Sequence, residues 1–213
     1  MVLLSFGQAL YISLSILGGL IVLILLLFVF YRNVLRQKNL KNRVCRSLYK
    51  FSNLNDYLLL NNYKINIDDR HFGQIDHILI TNKFIVIIND FPISGIITGD
   101  YSNEHLSLTD KSGTKLIVNP LNYNINLTKR IAIFNNLDNS FVKGIVVTND
   151  DSVVDVKNLP EQFTIVSKKD LKKTINGFDK TEVKPFKEDT VVQFINYLND
   201  QNERSKTKWN YVN

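Results

Sequence analysis

"GQIDHILITNKFIVIINDF", Gly73 to Phe91, holds the decisive local pattern. Two strand-length runs, Ile75 to Ile80 and Phe84 to Ile88, are joined by Thr81-Asn82-Lys83, a hairpin by loop length. The second run is apolar at every position, so both its faces are covered and it is a central strand. The hairpin carries Asp76 toward the end of that strand, where Asn89, Asp90 and Phe91 stand. Whether anything can react there depends on which other groups join them.

Outward from the hairpin the periodicity alternates between sheet and helix. Tyr57 to Ile67 ends with Tyr63, Ile65 and Ile67 on one face, a half-buried strand, and Asp68-Asp69-Arg70 is a turn. Ile96-Ile97, Leu106 to Leu108 and Leu116 to Val118 continue a sheet, and Asn119-Pro120 closes the last of these. Asn126 to Leu137 has helical spacing, Ile145 to Val147 and Phe163 to Val166 are short buried strands, and Ser167 with Asp170 reads as a helix start that Gly177 stops. A last amphipathic helix is predicted over 189–202, followed by a polar tail over 203–213. The order predicts an α/β domain over 53–202, with one mixed central sheet flanked by helices.

The N-terminal part is different in kind. Residues 1–31 contain no charged side chain, and Ala9 to Tyr31 is almost wholly apolar. About 20 such residues span the hydrocarbon of a bilayer, so the stretch is expected to be a transmembrane anchor. A signal peptide would want a basic start and a small-residue cleavage site, and the run ends instead in Phe30-Tyr31-Arg32. Residues 32–52 form a basic juxtamembrane helix or linker. Its cations are Arg32, Arg36, Lys38, Lys41, Arg43, Arg46 and Lys50, with no acid among them. They are expected to contact the membrane surface and to hold everything beyond Arg32 in the cytoplasm, with the N-terminus outside.

Setting those seven aside leaves 19 of the 26 lysines and arginines against 20 aspartates and glutamates, a net of −1 for residues 51–213. The basicity of the chain therefore belongs to the linker, which weakens any case for a general nucleic-acid surface on the domain. The single cysteine, Cys45, excludes an intrachain disulfide. His71, His77 and His105 are too scattered for a zinc pattern.

Several of these segments, taken together, resemble the NERD family of nuclease-related domains. Gly73 to Ile80 is similar to the family's "qIDhivi" strand, Gly95-Ile96-Ile97-Thr98-Gly99 to its "GkItG", and Asn119-Pro120-Leu121 to its "NPl". Ile145 to Val147 and Ser167 to Leu171 fit its later strand and helix. The resemblance implies a restriction-endonuclease-like, PD-(D/E)XK fold. It also implies, in an active member, a glutamate from the first helix, the aspartate of "ID", and a glutamate and lysine ending the central strand. Those four groups would surround Mg²⁺ or Mn²⁺, a hard cation that needs anionic oxygens. Here the corresponding positions are Lys41, Asp76, Asn89 and Phe91, and only Asp76 keeps the required chemistry. A glutamine that follows "NPl" in many members is replaced by Tyr123.

Three functions compete. In the first, a membrane-anchored, catalytically degenerate domain acts by binding nucleic acid or a protein partner, with no cofactor. In the second, a divergent nuclease uses Asp76 and Asp90 with Mg²⁺ or Mn²⁺. In the third, the anchor and linker make a membrane scaffold. If the site is degenerate, Phe91, Ile93 and Tyr123 are expected to fill the metal's volume, and His77 to be a half-exposed sheet residue.

Overall fold

The computed structural model describes the backbone of residues 6–66, 72–180 and 184–210, and the side chains within them except 6–13, 16, 29, 30, 32–38 and 205–210. The predicted turn at Asp68-Asp69-Arg70, His71, and the side chains of Arg32, Arg36 and Lys38 fall outside the described residues. The chain separates into two compact units, residues 1–39 and 40–213.

Helix α1, Phe6–Asn55, runs through the first unit and begins the second. In the first unit the side chains of residues 14, 15 and 17–28 are exposed. Among the described residues no helix is long and apolar enough to cross a membrane. In the second unit α1 buries Leu40, Val44, Leu48 and Phe51, the spacing of one helical face. Asp56, with φ 55°, ends the helix in the left-handed region before the sheet begins.

The second unit holds two mixed sheets where one was predicted. The first has β1 (Leu58–Asn66), β2 (Phe72–Ile80), β3 (Ile85–Asp90), β7 (Val142–Thr148) and β9 (Phe163–Ser167), in that spatial order. β1, β2 and β3 are antiparallel neighbours, and β7 and β9 then run parallel to β3. The second sheet has β4 (Ile96–Asp100), β5 (His105–Asp110), β6 (Gly113–Val118) and β8 (Val153–Lys157), in the order β6-β5-β4-β8. The break between sheets falls at Phe91 to Gly95. Gly95 has φ 131°, and a Cβ there would lie 2.5 Å from the Thr109 carbonyl oxygen, so only glycine turns the chain at that point.

Helices α2 (Pro120–Phe134), α3 (Leu171–Asp179) and α4 (Glu188–Asn210) complete the unit. One face of the first sheet packs Leu79, Val86, Ile88 and Val147 against α1 and α3. The other packs Ile78, Ile85 and Ile87 against Leu127 and Ile131 of α2 and Phe194 and Leu198 of α4. The second sheet closes over Leu121, Val146 and Ile165. Mixed α/β architecture is thus as predicted, with corrections at element ends. Asn119-Pro120 closes β6, which ends at Val118, and also opens a helix. Asn119 Oδ1 accepts the Leu121 N–H at 3.0 Å and proline occupies the first turn, where its missing N–H costs nothing. Gly177 lies inside α3, and α4 continues eight residues past the predicted end at Asn202. The Ser167 hydroxyl donates to Asp170 Oδ2 at 2.5 Å and does not cap the helix.

Two contacts fix the elements that carry the site. Gly144 on β7 lets α2 approach closely, for a Cβ there would lie 2.0 Å from Asn124 Oδ1 and 2.6 Å from Phe163. Gly144→Ala is therefore expected to cost about 3 kcal/mol by overpacking, read as a lowered midpoint in denaturant unfolding. Tyr57, just after α1, donates its hydroxyl to Asp179 at the end of α3. Burial, then the Asp179 hydrogen bond and charge, push the Tyr57 hydroxyl up from 10.0 to about 12. The neutral phenol is favoured in the folded state, so its contribution is complete below pH 10 and is lost as the pH rises toward 12. Thermal unfolding of wild type and Tyr57→Phe across pH 8–12 is expected to show the wild type's advantage shrinking above about pH 10, with a pH-independent gap contradicting it.

Candidate functional site

The site forms where the β1–β2 ladder is interrupted. Along β2, Ile75 and Ile78 pack on the same face although they are three apart, and along β1 Leu60 and Tyr63 do the same. Strict alternation would put them on opposite faces. The ladder pairs Asn61 with His77 and Tyr63 with Ile75 in one continuous register, so the change of facing lies at the unpaired Asn62 and Asp76. Asn62 has φ 59°, a left-handed conformation that asparagine tolerates better than most residues. The irregularity frees Asp76 to turn toward α1.

There it meets the chain's own cation. Lys41 Nζ lies 2.7 Å from Asp76 Oδ1, and the Asp90 backbone N–H donates to Asp76 Oδ2 at 3.0 Å. The two side chains are 31% and 17% exposed, respectively, so the pair is only partly screened by water. Both carboxylate oxygens are thus engaged by donors from within the chain.

The neighbouring positions have separate partners. Asn89 faces α2, where its Oδ1 accepts from Asn124 Nδ2 at 3.0 Å while its own Nδ2 donates to the Gln74 carbonyl at 3.1 Å. Asp90 Oδ2 lies 3.0 Å from His77 Nε2, and His77 Nδ1 lies 2.5 Å from Asn61 Oδ1. His77 is 1% exposed, a correction to the half-exposed residue expected from sequence. The β-ladder places it opposite Ile88, under the same helix-covered face. Its role in holding Asp90 is legible in two regular alternations, His77 with Leu79 and Ile88 with Asp90.

Asp76 and Asp90 are therefore adjacent, yet their carboxylates serve different partners. Among the described residues no group of three or more His, Cys, Asp or Glu is arranged to hold a metal ion. A divalent cation needs several free anionic oxygens, and here the surviving aspartate is saturated by an ammonium and an amide. The residues present do not fit Mg²⁺ or Mn²⁺.

Phe91 and Tyr123 do not plug the site. They stand in the walls of an open cavity of about 430 Å³, with Gln74, Asp76, Asn89, Asp90, Pro120 and Val146. The bulk expected to fill it goes elsewhere: the Tyr123 hydroxyl donates to the Gln74 carbonyl at 3.0 Å and accepts the Gln74 N–H at 2.6 Å, clamping α2 to β2. Burial and then the charge of Asp76 raise the Tyr123 hydroxyl, while its contact with the Gln74 backbone opposes them. Ile93 packs with the core of the second sheet.

The family model for nuclease-related domains matches residues 36–149, from the last turns of α1 through β7. The chain belongs to the NERD family. No curated protein and no solved structure matches it. The two mixed sheets and their flanking helices are consistent with a nuclease-like NERD fold. Of the linker cations, Lys41 serves Asp76 and Arg43 pairs with Asp150, which Lys168 also approaches at 3.9 Å. Arg46 and Lys50 are exposed.

Removing the ammonium should expose what it does. Lys41→Ala leaves the Asp76 carboxylate with a single amide donor and is expected to destabilise the domain by about 1–2 kcal/mol, measured by denaturant unfolding. Asp76→Asn combined with Lys41→Ala is expected to recover part of that loss, because no unpaired charge remains; a double variant as unstable as the sum of the singles would contradict the pairing.

Proposed function

We propose that this chain is a NERD domain that has lost the family's metal chemistry, is held at the cytoplasmic face of a membrane by its N-terminal helix, and acts by binding a protein partner or nucleic acid. The observation that carries the reading is the Lys41–Asp76 ion pair. The resemblance expects a glutamate at position 41, whose carboxylate would draw a cation toward Asp76. A lysine reverses that sign and supplies the positive charge itself, so a phosphoryl group finds no metal to polarise it and no metal-bound hydroxide to attack it. Asn89 and Phe91 withhold the remaining acid and the lysine of the motif.

Support for the anchor is the uncharged stretch 1–31, the exposed apolar side chains of residues 17–28 on α1, and the basic run that follows. Support for binding is an open hollow, walled by two aromatic rings, where catalysis has been removed.

Two measurements test the reading. Full-length protein in detergent, incubated with labelled DNA and RNA and with Mg²⁺ or Mn²⁺, is expected to cleave neither above a protein-free blank. Metal-dependent cleavage that Asp76→Ala abolishes would overturn the loss of chemistry. In cell fractionation the chain is expected in the membrane pellet, released by detergent and not by high salt; recovery in the soluble fraction would remove the anchor from the account.

A further inference from the structure

The second sheet ends in a strand with a bare outer edge. Among the described residues β6 pairs with β5 alone, and the strand order puts it at the end of its sheet. The first sheet treats its β1 edge differently. There the N–H groups of Lys64 and Asn66 donate to the side chains of Asn202 and Gln201 on α4, at 3.4 and 3.3 Å. An uncovered edge is a template for another strand, which proteins commonly block with charge, proline or a bulge. Residues 113–118 contain no proline, and their one charged residue, Lys115, is paired with Asp110 at 2.9 Å.

The ladder fixes which backbone groups face outward. Asn119 donates its N–H to the Glu104 carbonyl, on the β5 side. Backbone groups alternate sides along a strand, so Lys115 and Ile117 also point theirs at β5, while Thr114, Leu116 and Val118 point theirs away. The same three residues share the outer face of the sheet. Leu106 and Leu108, opposite Ile117 and Lys115, lie in the core, whereas Leu116 is 71% and Val118 67% exposed. The edge thus presents open donors, open acceptors and bare apolar side chains at the same positions.

We infer that β6 pairs antiparallel with β6 of a second copy of this chain, with Leu116 opposite Leu116 on a two-fold axis. Ladder bonds form only where outward residues meet outward residues, and the register centred on Leu116 uses all three: Thr114 against Val118 of the second copy, Leu116 against Leu116, and Val118 against Thr114. This self-match selects a second copy as the occupant. Leucine meets leucine with a β-branched pair on each side, and each Lys115 lies opposite Ile117 and not opposite a like charge. A two-fold interface requires such a self-complementary patch. The pairing stands apart from what the hollow binds. Its functional consequence is a bivalent module, because Pro120 in the wall of each hollow lies two residues beyond the paired strand.

The test follows the mass of full-length protein in detergent by light scattering coupled to size-exclusion chromatography, over a dilution series. A dimer that dissociates on dilution is expected. Leu116→Glu sets two carboxylates opposite each other at a position exposed in the single chain, and is expected to raise the dimer Kd at least about fivefold while thermal unfolding stays cooperative. Leu116→Lys is expected to do the same. An equimolar mixture of these two variants is expected to pair again, which misfolding could not produce. In a Cys45→Ser background, Leu116→Cys is expected to form an inter-chain disulfide under mild oxidation, since hydrogen-bonded antiparallel partners lie about 5.5 Å apart, within disulfide range. Lys111→Cys, exposed on the turn between β5 and β6 and about 30 Å from its counterpart in this register, is expected to form none. Monomer mass at every dilution, a dimer indifferent to Leu116→Glu, no recovery in the mixture, or equal cross-linking at positions 111 and 116 would overturn the pairing. Oxidation in cells that joins position 116 to a different polypeptide in place of its own copy would overturn the choice of occupant.

Discussion

A single ion pair, 2.7 Å long, connects the first helix of the domain to the sheet at the point where the family's chemistry would reside. Its consequences run in two directions. Structurally, Lys41 ties α1 to β2 next to the buried face of Leu40 and Val44, so the helix that enters the domain is registered against the hairpin by charge as well as by packing. Chemically, it places a fixed monovalent cation on the one carboxylate that survives from the motif. An ammonium satisfies that oxygen at the cost of ordering one side chain, while a divalent ion would need further anionic ligands that Asn89 and Phe91 do not supply.

The remainder of the site keeps the pair in place. The interruption at Asn62 and Asp76 turns the carboxylate out of strict alternation, and the Asp90 amide holds its second oxygen. On the opposite side of β3, Asn124 fixes Asn89 and bonds the Ile87 carbonyl at 3.2 Å, an approach that Gly144 permits. The result is a polar rim whose members are bonded to one another and a hollow whose surface is largely aromatic and aliphatic. That division separates a hydrogen-bonded frame from an open, mostly apolar hollow.

Much of the frame was legible in the sequence. The hairpin from Gly73 to Phe91 follows from two strand-length runs and a short link, whereas the core role of Val44, Leu48 and Phe51 lay inside a stretch that reads as a basic linker. The family followed from motifs whose order extends from Gly73 to Leu171. Other features were hidden for identifiable reasons. β8, Val153 to Lys157, was missed because five residues with alternating exposure give a weak signal. Asn-Pro punctuates strand ends and helix starts alike, so α2 was begun six residues late at Asn126 instead of Pro120. The second sheet depends on Gly95 turning the chain, which no periodicity reports. In the sequence Lys41 stands at a position that the resemblance gives to a glutamate, within a basic run that reads as membrane-facing. Its bond to Asp76, 35 positions away, is a tertiary contact that neither reading suggests. The burial of His77 follows strict alternation with Leu79 on the helix-packed face; the phase changes only beyond it, at Asp76 and Ile75.

The central claim is electrostatic, that Asp76 is neutralised from within and the domain has no affinity for a catalytic divalent ion. Titration of the full-length protein with Mn²⁺, followed by electron paramagnetic resonance, tests it most directly. The account predicts a spectrum that remains that of free aqueous Mn²⁺ throughout, for wild type and Asp76→Ala alike. A bound Mn²⁺ fraction in the wild type that disappears in Asp76→Ala would contradict it.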